Sequence, residues 1–507
     1  MHAKTALEKQ STIKQDIIYI SILLIAALCI GIYLISTTAV IARDGVGFIE
    51  YAKKLEIAPT KTMIQEYQHP GYPMMILGIH KAIRLLSESD SLFSWIYSAQ
   101  SIALVFRLLS IIVLYFIGKN LIVRRMSYGR GRFSFWAILI LILLPKPAHY
   151  GSDALSDWPQ LFFLATGMLL LMRSATNRKW WLFGFAGLTA GVGYLIRPEC
   201  AQVIIYGSLW LGLQLLGAKR SVNRPKTVLA LALLVGGFLV AAGPYMRLKG
   251  AVFPKKGIGE FAVNTQNNQF ALSQQQTVPN TAGFIPSDIA GAFKELFENI
   301  GETLMWFFVP ALLIGMYSWL KKRKWNEPET FFIIALIVLN VPVMIWLYCK
   351  HGYMDVRHTL PLVVFTIFFI PTGLDILAGW LDEKCLKKSN VRFSFVVLTA
   401  IGIAICIPKL LRPLHYDKLI YRKAAQWFSE NTLPSDLIAT PDSRITFYSE
   451  RKGVYYKQQE PAKNVQYLVR VSKKKSLSDD QNLPKVVDIL YTDKSDRYMI
   501  DIYKPFN

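Results

Sequence analysis

Asp44 is the residue best placed to do chemistry in this sequence. It stands two positions after a long apolar run, 17–42, within the stretch RDGVGFIEYAKKLEIAPTKTMIQEYQHPGYP at 43–73. A carboxylate at the edge of a bilayer can act as a general base, taking the proton of a hydroxyl as that hydroxyl attacks an electrophilic carbon. Partial burial would raise its pKa towards a useful value, because desolvation disfavours the charged form. Glu50, His69, Asp153, Asp157, Arg197, Glu199, Asp355, Arg357 and His358 also fall between or at the ends of apolar runs. If the runs cross a membrane, all of these share Asp44's face, and both charge signs converging on one face suggest an active site there. The plainer reading is that external loops are polar because they are wet.

The elements that position these residues are long and apolar. The 507 residues are 53% hydrophobic, and runs of roughly 17 to 26 apolar residues, long enough to span hydrocarbon as helices, recur along the first four-fifths. A soluble α/β protein would break such runs into short strands, and barrel strands would alternate in polarity. The sequence therefore predicts an all-α polytopic membrane protein. About eleven transmembrane helices are expected, near 17–42, 94–118, 133–148, 157–173, 180–196, 201–217, 227–247, 303–320, 330–349, 359–380 and 393–411.

Lysine and arginine sort the loops. They cluster before the first run, at Lys4, Lys9 and Lys14, and then in every second loop: 119–132, 173–179, 219–226, 321–324 and 384–392. That alternation puts the N-terminus in the cytoplasm and the C-terminus outside, in a multi-pass protein of the plasma (inner) membrane. It also accounts for the net charge of +23 without nucleic acid, since the cations sit in short loops between spans. None of the five cysteines falls in a long external segment, so neither a disulfide framework nor a CxxC metal site is indicated. The first run is too long for a signal-peptide core and is expected to be retained.

On this topology the outer face holds 43–93, 146–157, 197–200, 248–302 and 350–358. Two domains are expected: a transmembrane catalytic domain, 1–411, with 43–93 as its first external loop, and a small extracytoplasmic α/β domain, 412–507. In the latter a helix is expected over 416–430 and strands at 437–440, 445–448, 466–471, 486–491 and 498–503. Its simplest role is a structural cap. The Gln/Asn-rich loop 262–282 is expected to be mobile. Arg107, inside the second run, calls for a structural partner, and Lys146 and His149 are weaker site candidates.

Apolar residues at 46, 48, 49, 52 and 55 have the spacing of an amphipathic helix lying in the interface. His69-Pro70-Gly71-Tyr72-Pro73 makes a stiff turn that fixes the imidazole. An acid closing the first span, an interfacial helix with Tyr51-Ala52, and this turn together resemble the first external loop of the GT-C glycosyltransferases. The nearest branch is the bacterial one grouped with protein O-mannosyltransferases, aminoarabinose transferases and RgtA/B/C/D-like enzymes. SDALSD at 152–157 is similar to that family's acidic motif before the fourth span, and YLIRPE at 194–199 to its Arg-Pro-Glu turn. RHTLP at 357–361 resembles its Arg-Tyr-x-x-Pro motif, with His358 in place of the aromatic.

The resemblance implies an inverting hexosyl- or pentosyltransferase. It would move a sugar from a polyprenyl-phosphate donor to a glycan, lipid or protein acceptor at the extracytoplasmic face. Asp44 inherits the role of catalytic base. Arg197 and Arg357 would neutralise the leaving phosphate, which guanidinium groups bind in bidentate fashion. Glu50, His69, Tyr72, Asp153, Asp157, Glu199 and His358 would complete the substrate contacts. Gly45 stands where the protein mannosyltransferases carry the second acid of an Asp-Glu pair, which disfavours a protein acceptor. No Asp-x-Asp or His-rich cluster points to a metal, and no cofactor is expected. A transporter or flippase of a lipid-linked solute would show related halves and a mid-membrane cluster of ionisable groups, and the sequence shows neither. A polysaccharide polymerase or ligase would centre on one large late external loop, and 248–302 lacks dense arginine.

Overall fold

Backbone polar groups in lipid have no partners but one another, which dictates helices wherever the apolar runs cross. A computed structural model of the chain is accordingly a helical bundle with a small C-terminal sheet domain. It describes residues 2–87, 90–121, 130–216, 223–251, 289–323, 327–384, 391–456, 465–473, 486–490 and 498–504. The loop 262–282, and parts of the basic loops, lie outside the described residues. Among those described, seven helical segments are long and apolar enough to cross a membrane: Ile13–Ser36, Leu92–Leu121, Pro198–Leu216, Arg224–Lys249, Pro328–His351, Val356–Glu383 and Val391–Leu410. The other expected spans are helical too, but shorter or more polar.

In chain order the first half holds α1 (His2–Ser36), α2 (Arg43–Ile57), α3 (Pro59–Gln65), α4 (Gly71–Ser87), α5 (Leu92–Leu121), α6 (Arg130–Leu143), α7 (Pro145–Tyr150), α8 (Asp157–Asn177), α9 (Leu182–Tyr194), α10 (Gln202–Leu216) and α11 (Arg224–Lys249). After the undescribed 252–288 come α12 (Ile289–Thr303), α13 (Val309–Lys322), α14 (Pro328–His351), α15 (Leu360–Thr366), α16 (Ile370–Lys384) and α17 (Val391–Leu410).

The first span ends at Ser36, not at Ala42. Ser36 and Thr37 turn their hydroxyls back on the Tyr33 carbonyl, and Thr38 on that of Leu34. These bonds satisfy carbonyls that a helix end leaves open. Asp44 therefore sits in the first turn of α2, beyond a short non-helical link. Within the bundle, Gly187 and Gly191 of α9 press on the Leu234 and Phe238 carbonyls of α11, where a Cβ would collide. Small residues let membrane helices approach this closely. Arg107 is fully buried in α5, donating to the Ile142 carbonyl at 2.9 Å beside the Trp158 ring. It braces the joint where Pro145 separates α6 from α7.

The tail folds as α18 (Leu419–Asn431) and α19 (Ser443–Ser449) on a five-stranded sheet. Its strands are β1 (Leu437–Thr440), β2 (Lys452–Tyr455), β3 (Tyr467–Lys473), β4 (Val486–Leu490) and β5 (Tyr498–Tyr503), in the order β2-β1-β3-β5-β4. β1 runs parallel to β2 and β3, while β5 runs antiparallel to β3 and β4. Ile420, Phe428, Ile438, Val469 and Ile500 form its core. The segment 445–448 is helical, contrary to the strand expected from its β-branched and aromatic residues. Asp442 accepts from the Arg444 backbone N–H at 3.0 Å, and this N-cap starts α19.

Candidate active site

Asp44 is held from two sides. Behind it, Gly45 lets α2 lie against the loop after α7: a Cβ at Gly45 would stand 2.8 Å from the Ala154 carbonyl oxygen. That loop carries Asp153, which is 2% exposed. Its Oδ1 accepts from the backbone N–H groups of Ala42 at 3.0 Å and Ala154 at 2.7 Å, and its Oδ2 lies 2.8 Å from His415 Nε2. Asp153 thus fixes the peptide that leads into Asp44. Burial would raise its pKa, but His415 and the two N–H groups outweigh burial and hold it below the ordinary value of 3.8.

His415→Ala leaves Asp153 Oδ2 buried without this partner, and a loss of about 1–3 kcal/mol in unfolding free energy is expected. A carboxylate with a lowered folded pKa stabilises above its unfolded pKa and loses that contribution as pH falls through the folded one. The gap between wild type and variant, read by thermal unfolding in detergent, should therefore close in acid.

In front of Asp44 stands Arg357. α14 stops at Gly352, whose φ of 72° suits glycine, and the chain re-enters the bundle through a 3₁₀ turn, Val356–Thr359. Asp355 caps that turn by accepting from the Arg357 backbone N–H at 2.9 Å, and its Oδ2 lies 3.5 Å from Arg357 Nε. The guanidinium is left aimed outward: Nη1 donates to Asp44 Oδ2 at 2.7 Å. The pair is only half-buried, with side-chain exposures of 23% for Arg357 and 45% for Asp44. Burial raises the pKa of Asp44, as expected, but Arg357, with Arg197 and Arg43 behind it, reverses the sign and holds it below 3.8. The expectation of a raised value counts desolvation and misses the cation.

Arg197 follows α9 in extended backbone. Its Nη1 lies 3.0 Å from both Asp157 Oδ1 and Gln160 Oε1, and its Nε donates to Ser156 Oγ at 2.9 Å. Asp157 is buried, whereas Glu199 is exposed. Asp157 also acts electrostatically on Arg357. Asp44, Arg357, Asp157 and Arg197 therefore form one alternating cluster of charges.

The remaining expected residues frame this cluster or stand apart. The expected turn at 69–73 is non-helical only at His69-Pro70, since α4 begins at Gly71, whose N–H donates to the Leu195 carbonyl at 2.7 Å and ties this helix start to the turn that carries Arg197. His69 is buried with ring centroids 4.9 Å from Tyr194 and 5.3 Å from Tyr245. Tyr72 is buried, its hydroxyl donating to the Ala99 carbonyl at 2.9 Å. Glu50 is half-buried in α2, and burial raises its pKa against the pull of Lys54 and Lys53. His358 is exposed at the turn after Arg357. Among the described residues no group of three or more His, Cys, Asp and Glu could hold a metal ion.

Sequence reading misses the tail's part in this site. Tyr448 of α19 accepts from the Ile41 N–H at 3.0 Å, and Ala39 N–H donates to the Leu414 carbonyl at 3.1 Å. Arg43 lies over the Tyr455 ring at 4.7 Å, and Arg422 over Phe93 at 5.3 Å. The C-terminal domain grips the link 39–43 on which Asp44 is mounted. His415 and Asp153 are 262 positions apart, a separation at which no local pattern pairs them.

No family model matches the sequence, and no curated protein matches it. Solved structures do match in fold. ArnT from Cupriavidus metallidurans in the apo state aligns with a TM-score of 0.57 at 14% identity, over 97% of this chain and 98% of that one. The same protein bound to undecaprenyl phosphate gives 0.56 at 14% identity, over 96% and 97%. The Archaeoglobus fulgidus oligosaccharyltransferase in its apo form gives 0.54 at 13% identity, over 89% of this chain and 69% of that chain. Along nearly its whole length, the chain shares the fold of ArnT.

Proposed function

We propose that the chain transfers a sugar from a polyprenyl-phosphate donor to an acceptor hydroxyl, with Asp44 as general base. The observation that carries this reading is the half-exposed Asp44–Arg357 pair at 2.7 Å, at the edge of a bundle of apolar helices and beside a second guanidinium, Arg197. Cations beside a lipid-facing rim suit a phosphate on a lipid tail. The likeness to ArnT bound to undecaprenyl phosphate and to the archaeal enzyme with dolichol-phosphate supports the same donor class.

In the resting site Arg357 is committed to Asp44, which is thereby ionised. A donor phosphate competes for Arg357 and adds negative charge nearby, so Asp44's pKa rises as its partner is drawn away. Asp44 then takes the acceptor's hydroxyl proton as the oxygen attacks the anomeric carbon. The bond from that carbon to the phosphate oxygen breaks with inversion, and the polyprenyl phosphate leaves with the electron pair against Arg357 and Arg197. The reaction belongs on the extracytoplasmic side of the plasma (inner) membrane, because the basic loops cluster at the other ends of the helices. The acceptor is a glycan, a lipid or a protein.

The test is turnover by the wild type. Membranes holding the chain, supplied with a panel of polyprenyl-phosphate sugars, should release polyprenyl phosphate from at least one. Lipid crossing the bilayer with no such release would favour a flippase instead.

A further inference from the structure

Two turns along α2 from Asp44, a pair of buried phenols has nothing to bond. Tyr51 is 1% exposed and Tyr245, near the end of α11, is 5% exposed, and neither hydroxyl has a hydrogen-bond partner among the described residues. The two lie close enough to act on each other electrostatically. Tyr72, equally buried, spends its hydroxyl on the Ala99 carbonyl at 2.9 Å. Phenylalanine would fill the same space without stranding a polar group, so two unspent hydroxyls side by side call for a ligand.

The backbone holds the pair beside the reaction. Asp44, Gly47 and Tyr51 share one face of α2, with Tyr51 about 10.5 Å along the axis from Asp44. Gly47 leaves this face open: a Cβ there would have Gln68 Nε2 as its nearest neighbour, at 3.9 Å, whereas Gly45 is pressed on Ala154. Lys249, one turn beyond Tyr245, donates from Nζ to the Ile64 and Glu66 carbonyls at 2.8 and 2.7 Å, which ties α11 to the end of α3. The His69 ring lies beside those of Tyr245 and Tyr194, and Tyr194 leads into the turn that carries Arg197. A groove thus runs from Asp44 over Gly47 to the phenols.

Its chemistry is uncharged. Phenols and a primary amide donate and accept without carrying charge, and Glu66, the acid acting on Tyr51, is paired with Lys54 at 2.6 Å. Such groups suit the hydroxyls of a sugar, and a site built to bond a hydroxyl rejects the analogue that lacks it. We propose that the groove over Gly47 binds an uncharged sugar, with Tyr51 and Tyr245 hydrogen-bonded to its hydroxyls and setting which sugar reacts. The assignment rests on the transfer reaction proposed above. The sugar is the donor's own or that of a glycan acceptor, since both present the same groups.

The test compares wild type with Tyr51→Phe, Tyr245→Phe and the double variant, as the full chain in neutral detergent. Binding of polyprenyl-phosphate glucose, galactose and mannose is measured against bare polyprenyl phosphate, and transfer is followed from the same donors. If the groove holds the donor's sugar, the affinity that the sugar adds should fall about threefold to tenfold for each hydroxyl removed. If it holds an acceptor glycan, donor binding stays the same and the acceptor's KM rises by a like factor. In both cases thermal stability should stay at or above wild type, because no bond within the protein is lost. Gly47→Leu fills the groove and should weaken the same step without touching either tyrosine. Wild-type binding and KM in all these variants overturn the proposal, and lower stability with unchanged kinetics overturns it by assigning the hydroxyls to a buried water. A wild type that uses a donor but keeps its selectivity in the variants defeats this inference alone; one that neither binds nor turns over any donor defeats the transfer reaction with it.

Discussion

Arg357→Gln is expected to lower kcat/KM for sugar transfer by about 10²–10³-fold, the loss seen when a donor aimed at developing charge is removed. Two functions fall together. The leaving phosphate loses a guanidinium, and in the resting site Asp44 loses the 2.7 Å contact that orients it before the donor binds. Arg357→Lys keeps the charge but not the fork geometry, so it should recover only part of the activity. Because Asp355 caps the turn through the Arg357 backbone N–H at 2.9 Å, the turn itself should survive the substitution. Unfolding temperature measured beside the kinetics separates these effects: activity falls while stability stays near wild type.

Asp44→Asn should cost transfer about 10²–10⁴-fold, the range for loss of a general base. The pH dependence carries more information than the size of the loss. With the site empty, Arg357 holds the Asp44 pKa below 3.8, so wild-type kcat/KM should be flat through neutral pH and fall only in acid. Once the donor phosphate draws Arg357 away, Asp44 takes up a proton more readily. The acid limb of kcat should therefore lie at higher pH than that of kcat/KM. Asp44→Asn should abolish both limbs, and coincident limbs in the wild type would argue against exchange of Arg357 between acid and phosphate.

What the sequence makes legible follows from the range of the interactions. Apolar runs and basic loops are local, and they are enough to read a polytopic helical bundle with the ionisable residues gathered at one end. The Asp44 segment is legible for the same reason, since an amphipathic helix and a Pro-Gly turn announce themselves over a few residues. Pairings are not. Nothing in the sequence ties Asp44 to Arg357, 313 positions on, or Asp153 to His415, and so sequence alone gives the pKa of Asp44 the wrong direction. The tail's helix at Ser443–Ser449 reads as a strand because a single N-cap outweighs a strand-like composition. The domain's grip on residues 39–43 is tertiary throughout, involving Leu414, Tyr448 and Tyr455 from separate elements.

The most direct measurement is a single turnover in proteoliposomes with a donor carrying different labels on its sugar and its polyprenyl chain. Wild type and Asp44→Asn would be compared side by side, with donor binding measured for each. The wild type should part the two labels, while the variant binds the donor equally well and leaves it whole. Labels that part at the wild-type rate in the variant would contradict Asp44 as the base and remove it from the mechanism.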